Sequence, residues 1–205
     1  MHLLWEGPDD AAHTLVLGHS AGAPMDSPWM NRIATALADR GIRTARFEFA
    51  YMAARRGGVR RPPLKAELAV GEYRDAVAAA VDTARSPVLI GGKSYGGRVA
   101  SLVADELHDT GRVSGLVCLG YPFHPPEKPA ALRTAHLLTL HCPALICQGR
   151  RDPFGGADEV PGYGLGERLE VRWFDGQHDV QPLGRLGAVA DAVATFANGL
   201  STTPR

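Results

Sequence analysis

The sequence has few cysteines, no excess of either charge and no long apolar run, and each absence excludes a class of protein. The three cysteines are odd in number and have no Cys-x-x-Cys spacing, which excludes a disulfide framework and a zinc knuckle. Lys plus Arg and Asp plus Glu each number 22, so the formal net charge is zero, whereas a general nucleic-acid or anionic-membrane binder carries a basic excess. No apolar stretch approaches the roughly 18 residues of a membrane span.

The amino-terminal residues 1–6 lack the charged and long apolar regions of a signal peptide. We therefore expect a cytoplasmic protein with neither a membrane nor a nucleic acid as partner. Its 205 residues, 45% hydrophobic and 21% charged, are typical of one globular domain. We predict a single domain over residues 1–198 and a C-terminal tail over residues 199–205.

Short apolar runs alternate with helical patterns along the chain. Several runs are nearly continuous in Val, Leu and Ile, as in parallel strands covered on both faces. The last two runs alternate more, which predicts strands nearer an edge. The predicted strands are residues 14–17, 44–49, 88–90, 113–119, 144–147 and 169–174.

Helices are predicted between these strands. The first begins at Ser27-Pro28 and stops at Gly41, and the second runs over about 66–85. The third begins near Tyr95, and the last contains Val189, Val193 and Phe196. This order predicts a three-layer α/β/α sandwich with a mostly parallel sheet. Ligands of such sheets bind beyond the carboxyl ends of the strands, so the residues that follow each strand are the candidates for a site.

A candidate nucleophile follows the predicted strand 88–90. Gly92-Lys93-Ser94-Tyr95-Gly96 matches G-x-S-x-G between a strand and a helix, the context that a nucleophile elbow requires. We expect Ser94 to have a strained backbone, and the flanking glycines to be needed because a Cβ there would clash with neighbouring backbone.

The order of residues along the chain indicates partners for Ser94. In this arrangement an acid and then a histidine follow the serine. His178 lies directly after the last predicted strand and is the candidate base; Asp152, after the strand before it, is the candidate acid that orients the imidazole. Asp158 and Glu159 are the alternative acids.

An oxyanion hole needs two backbone N–H groups. One is expected from Tyr95, the residue after the nucleophile. The other is expected from the loop after the first strong strand, from Ala21 or, as second choice, from Ser20. His19 is interpreted as shaping this loop.

At these points the chain resembles the α/β-hydrolase superfamily, most closely its small, capless branch akin to dienelactone hydrolases. Within that branch it is similar to bacterial hydrolase-like proteins related to a testis-expressed protein and a subunit of the NSL acetyltransferase complex. The resemblance spans nearly the whole chain and rests on residues 18–26, 46–52, 91–98, 121–126 and 148–155. It implies an α/β-hydrolase fold without a large cap over residues 1–198.

Two positions depart from the resembled pattern. Dienelactone hydrolases proper carry Cys as the nucleophile, where this chain has Ser94. The resembled oxyanion loop usually has His-Gly, where this chain has His19-Ser20. We expect the side chain of Ser20 to alter the second half of the oxyanion hole or the approach of substrate.

Three further segments admit other interpretations. Gly92-Lys93-Ser94 is similar to the end of a P-loop, but Pro87 occupies the place of the required glycine, so Lys93 is expected at the rim or in solvent. The basic segment 55–65 is either a solvated loop or a rim where Arg60 and Arg61 attract an anionic substrate. A helical pattern over 131–140 predicts a partial flap.

Together these observations predict a serine hydrolase that cleaves an ester, thioester or related acyl bond of a small molecule. No cofactor is expected, and the histidines show no metal-ligand spacing with carboxylates, so no metal is expected either. The alternative is a non-catalytic interaction scaffold built on the same fold. The sequence leaves open whether the protein is a monomer or a homodimer.

Overall fold

A seven-stranded sheet forms the centre of the computed structural model, which describes residues 1–200. The strand order is β1-β3-β2-β4-β5-β6-β7, with every neighbouring pair parallel except β1 and β3. The strands are β1 (Leu4–Glu6), β2 (His13–Gly18), β3 (Ile42–Phe47), β4 (Val88–Lys93), β5 (Gly115–Leu119), β6 (Ala144–Gly149) and β7 (Leu169–Phe174).

Helices cover both faces of the sheet, which confirms the predicted three-layer sandwich with a mostly parallel sheet. The helices are α1 (Pro28–Ala38), α2 (Ala50–Arg56), α3 (Val70–Val81), α4 (Tyr95–Ser101), α5 (Ala104–Asp109) and α6 (Leu186–Leu200). Leu89 packs in the core with α1 and α6, while its neighbour Ile90 packs in the core with α3 and α4. Successive strand residues thus point into opposite cores.

The burial of the strands explains their apolar composition. All residues of β2, β4 and β5 are buried, as their nearly continuous runs predict, and so are all residues of β6, whose run alternates more. β7 forms one edge of the sheet and is only partly buried, in keeping with its alternating pattern. β6 lies second from that edge.

The predicted helix over 66–85 is shorter in the structure. A 3₁₀ turn (Ala66–Leu68) precedes α3, and α3 ends at Val81. The helix ends early because the chain must turn into β4, and Pro87 disfavours a helical residue before it. By contrast, α1 begins as predicted, with Ser27 capping the N–H of Met30.

The prediction of a helix over 131–140 is wrong. Only a 3₁₀ turn (Ala135–Leu137) forms there, and Arg133 N–H donates instead to Phe123 O at 2.7 Å. The helical spacing of apolar residues arose because Leu137 and Leu140 are buried in the core. A helix that the sequence pattern does not predict, α2, covers residues 50–56.

The carboxyl-terminal helix α6 includes Gly199 and Leu200 of the predicted tail 199–205. The remaining tail residues, 201–205, lie outside the described residues. Among the helices of residues 1–200, none has both the length and the apolar character needed to cross a bilayer.

Candidate active site

Ser94 occupies the turn between β4 and α4. Its φ of 51° and ψ of −109° lie in a region that a residue with a side chain rarely adopts, as expected for a nucleophile elbow. The turn is held on both sides: Ser94 N–H donates to Leu119 O at 3.1 Å, and Ser94 O accepts from Arg98 N–H at 3.0 Å. The strain is therefore sustained by the neighbouring strand and the following helix.

The glycines around Ser94 permit this turn. A Cβ on Gly92 would lie 2.4 Å from the carbonyl carbon of Gly96, and a Cβ on Gly96 would lie 2.4 Å from the backbone of Gly18. Side chains cannot occupy such distances without moving the backbone. The expectation that both glycines avoid a clash is confirmed.

The structure brings Ser94, His178 and Asp152 into one hydrogen-bonded chain. Ser94 Oγ lies 2.7 Å from His178 Nε2, and His178 Nδ1 lies 2.8 Å from Asp152 Oδ2. The carboxylate can only accept, so Nδ1 carries the proton and Nε2 faces the serine hydroxyl as an acceptor. The Asp152 carboxylate is fully buried, whereas the His178 side chain is 22% exposed. Phe154 packs against the imidazole, with the ring centroids 4.3 Å apart.

The alternative acids are placed elsewhere. Asp158 is exposed. The Glu159 carboxylate accepts hydrogen bonds from Gly156 N–H and Tyr163 OH, and contacts His124 Nε2 at 3.2 Å. Of the three candidate acids, only Asp152 contacts His178.

The predicted oxyanion loop lies against the start of α4. Gly96 N–H donates to His19 O at 3.1 Å, which joins this loop to the nucleophile turn, and Tyr51 OH donates to Ala21 O at 3.1 Å. Within residues 1–200, the N–H groups of Tyr95 and Ala21 donate to no other group. Neither N–H is therefore committed to another group of the described residues, as the two predicted donors require.

His19 shapes this loop from inside the protein. Phe49 N–H donates to its Nε2 at 3.2 Å, so its Nδ1 carries the proton and donates to Ser20 O at 2.7 Å. Burial lowers the pKa of His19 and favours the neutral ring that this pattern of hydrogen bonds requires.

Two buried polar residues, Gln148 and Lys93, contact Asp152 and His178 in a way that the sequence did not predict. Gln148 donates to Asp152 Oδ2 at 2.9 Å, and its own Oε1 accepts from Tyr121 N–H at 2.7 Å. The expectation that Lys93 is solvated or at the rim is wrong: it is 5% exposed, and its Nζ donates to His178 O at 2.6 Å. The position of Gln148, a polar residue at the end of an apolar run, was the one sequence signal for its role. Nothing in the sequence indicated where the Lys93 side chain points.

The basic segment 55–65 lies beside the nucleophile turn. Leu64 O accepts from Tyr95 OH at 3.0 Å, and the Arg55 guanidinium lies 5.6 Å from the centre of the Tyr51 ring. Arg55, Gly58 and Arg60 line a cavity of about 650 Å³. Arg60 and Arg61 are exposed, so this segment is both solvated and close to the site.

No group of three or more His, Cys, Asp or Glu side chains in residues 1–200 is placed to hold a metal ion. The cysteines Cys118, Cys142 and Cys147 are buried free thiols, and burial raises the pKa of each.

A serine on a strand-to-helix turn, contacting a histidine beyond the last strand of a mostly parallel sheet, defines the α/β-hydrolase class. The chain belongs to this family: the sequence model of the alpha/beta hydrolase domain matches residues 11–202.

Solved structures agree on the fold. An alpha-beta serine hydrolase homologue from Coxiella burnetii has a TM-score of 0.71 and 17% identity over 94% of this chain and 89% of its own. Est1E from Butyrivibrio proteoclasticus has a TM-score of 0.69 and 14% identity, covering 95% and 90%. A dienelactone hydrolase from Anabaena variabilis has a TM-score of 0.66 and 21% identity, covering 95% and 89%.

Proposed function

We propose that this protein is a serine hydrolase that cleaves an ester, thioester or related acyl bond through an acyl-enzyme intermediate. The single observation that carries the proposal is the hydrogen-bonded chain from Ser94 Oγ through His178 to the buried Asp152. In this chain Ser94 is the nucleophile, His178 the general base and acid, and Asp152 the group that fixes the imidazole tautomer.

The reaction has two stages. Ser94 Oγ attacks the carbonyl carbon while its proton passes to His178 Nε2, and the intermediate collapses when the leaving oxygen or sulfur takes that proton. Water then attacks the acyl-enzyme, gives one proton to His178 Nε2, and releases the carboxylic acid as Ser94 recovers its proton. Asp152 stabilises the imidazolium formed in each stage.

The negative charge on the carbonyl oxygen needs donors that are in place before the reaction begins. The N–H of Tyr95, at the start of α4, is the first donor of this proposal. The N–H of Ala21 is the second, with that of Ser20 as the alternative. The contact between Gly96 N–H and His19 O supports this assignment, because it holds the two segments together.

A small-molecule acyl substrate is the class that this site suits. The structural neighbours include two proteins described as esterases and one described as a dienelactone hydrolase. The segments 18–26, 91–98 and 148–155 further support a place among the capless bacterial relatives of the testis-expressed and NSL-complex proteins. Arg60 and Arg61 are proposed as rim residues that favour an anionic substrate.

Labelling of the purified protein with a fluorophosphonate probe tests the proposal, followed by a panel of esters of increasing acyl length. We expect wild type to label at Ser94 and S94A not to label, with kcat for the best ester lower by about 10⁴-fold or more in S94A. S101A is the matched control, because Ser101 Oγ also contacts a histidine, His136 Nε2, at 2.8 Å. S101A should label like wild type.

The opposite outcome is equally clear. Folded wild-type protein that neither labels nor hydrolyses any ester of the panel would overturn the proposal. The interaction scaffold would then be the better interpretation of the fold.

A further inference from the structure

Lys93 is a buried cation for which the proposed reaction has no use. It lies between Gly92 and the nucleophile Ser94, and it is 5% exposed. Burial lowers the pKa of its ammonium group, although the Asp179 carboxylate counteracts this effect. Since burial of a lysine is costly unless the charge is satisfied, the contacts of this residue call for an explanation.

The polar contacts of the ammonium group lie on the loop that carries His178. Lys93 Nζ donates to His178 O at 2.6 Å and lies 3.4 Å from Asp179 Oδ1. The ammonium also lies 5.4 Å from the centre of the Trp29 ring, and the Trp29 indole N–H donates to Asp179 O at 3.2 Å. The loop is thus attached to β4 and to α1 through the same two residues, His178 and Asp179.

The loop over residues 175–181 is strained as well as attached. Val180 has φ of 64°, in the left-handed region where a β-branched residue is a genuine outlier, and its side chain is fully buried. A Cβ on Gly176 would lie 1.9 Å from Val180 O. Such a conformation persists only where its surroundings over-determine it.

Space for the Lys93 contact is provided by Gly120, which follows β5. A Cβ on Gly120 would lie 2.4 Å from His178 O and 3.2 Å from Lys93 Nζ. The backbone at Gly120 has φ of 69°, which glycine adopts without strain. The structure therefore provides room for the contact between the ammonium group and the His178 carbonyl.

We propose that Lys93 is a positioning residue for the general base: its ammonium group binds His178 O and holds the 175–181 loop where Nε2 reaches Ser94 Oγ. Because Lys93 adjoins the nucleophile in the chain, one residue fixes both reacting groups relative to β4. This inference rests on the proposed function for its effect on catalysis. The effect on the loop itself does not depend on any activity.

The test compares wild type with K93M, which keeps the unbranched shape of the side chain and all but its last atom, and removes the charge and the donor. We expect K93M to fold and to lower kcat by about 10- to 100-fold, with KM within about 2-fold, because the base is misplaced while the rest of the site is intact. Amide hydrogen exchange should accelerate in peptides that span 175–181 and stay unchanged in β2 and β5. K93R, which restores a cation and its donors, should recover part of kcat and of the protection.

Lys128 provides the matched control, because it is an exposed lysine in another loop. K128M should match wild type in kcat and in exchange. If K93M does not accumulate as folded protein, K93Q replaces it, since its neutral amide ends one atom short of the Lys93 Nζ position, and the same expectations apply.

Two results would overturn the inference: wild-type kcat in the folded variant, or unchanged exchange over 175–181. A general loss of structure would raise exchange throughout the protein and would not be recovered by K93R. Absence of turnover in wild type would count against the proposed hydrolase, while the exchange comparison would still decide whether Lys93 holds the loop.

Discussion

The carboxylate of Asp152 receives three hydrogen bonds, and their arrangement makes the charge at this position irreplaceable by an amide. Phe154 N–H donates to Oδ1 at 2.8 Å, while Gln148 and His178 Nδ1 both donate to Oδ2. In D152N the amide nitrogen must face one of these donors in either orientation. We expect kcat of D152N to fall by roughly 10³- to 10⁴-fold, because the imidazole loses its tautomer and its counter-charge.

Steady-state kinetics on the best ester of the panel measures this effect, with circular dichroism to establish folding. D158N is the control, since Asp158 is exposed and the His178 Nδ1 hydrogen bond is made to Asp152, so this variant should behave like wild type. Normal turnover in D152N would transfer the role of the acid to Asp158 or Glu159.

Chain order was sufficient to select Ser94, Asp152 and His178 as candidates, because in a mostly parallel sheet each loop after a strand reaches the same edge. It was insufficient for Gln148 and Lys93. Their roles depend on which way a side chain leaves the end of a strand and on which loop lies opposite. Those are tertiary facts that neither spacing nor periodicity carries.

The lowered pKa of His19 predicts how the free energy of unfolding depends on pH. Because burial lowers its pKa, the unfolded chain, with a histidine pKa of about 6.5, binds the proton more readily than the folded protein. The contribution of neutral His19 to the free energy of unfolding is therefore complete above about pH 6.5. It is lost as the pH falls from there through the lowered pKa that His19 has in the folded protein.

Urea denaturation of wild type and H19N from pH 7.5 to pH 5 checks this sign. We expect the difference in unfolding free energy between the two proteins to narrow with acidification, while groups that titrate in both proteins cancel. H2Q, at an exposed histidine, should show a constant difference. A constant difference for H19N would contradict the prediction.

At the scale of the elements, the contact between β2 and α4 is made without side chains. A Cβ on Gly96 would meet the backbone of Gly18 at 2.4 Å, and backbone cannot move aside as the end of a flexible side chain can. We expect G96A to lower the unfolding free energy by about 3 kcal/mol, the upper end of the usual cost of overpacking, because the atoms it meets are backbone. Urea denaturation would measure the change.

Gly71 in α3 is the matched control. Nothing lies within 4 Å of a Cβ there, and the residue is exposed. G71A should stabilise the protein by about 0.5–1 kcal/mol, because alanine loses less conformational freedom in a helix. Equal tolerance of the two substitutions would show that α4 can shift away from β2.

The same scale explains which elements could be predicted. Buried parallel strands have nearly continuous apolar runs, and the cap at Ser27 is a local signal, so β2, β4, β5 and the start of α1 could be predicted. α2 was missed because it has seven residues, two of them the basic residues that indicated a loop. The segment 131–140 was misassigned because buried leucines repeat at helical spacing without forming a helix.

For the whole molecule, balanced charge determines how an anionic substrate can be recognised. Lys plus Arg equals Asp plus Glu, so the protein as a whole provides no net attraction for an anion. A preference for an anionic ester therefore requires a local field, and the basic segment 55–65 is the source that we propose. Arg60 lines the cavity beside Arg55, and Leu64 of the same segment contacts Tyr95.

We therefore expect the double variant R60A/R61A to raise KM for an ester that carries a carboxylate roughly 2- to 30-fold, with two exposed charge contacts of about 0.2–1 kcal/mol each. KM for a matched neutral ester should not change. The difference should shrink from low salt to about 0.5 M salt, because exposed charges are screened over a few ångströms there. R112A, which removes an exposed arginine in the turn before β5, should have no effect on either ester. Equal changes for both esters would mean that the segment acts on the shape of the site rather than through its charge.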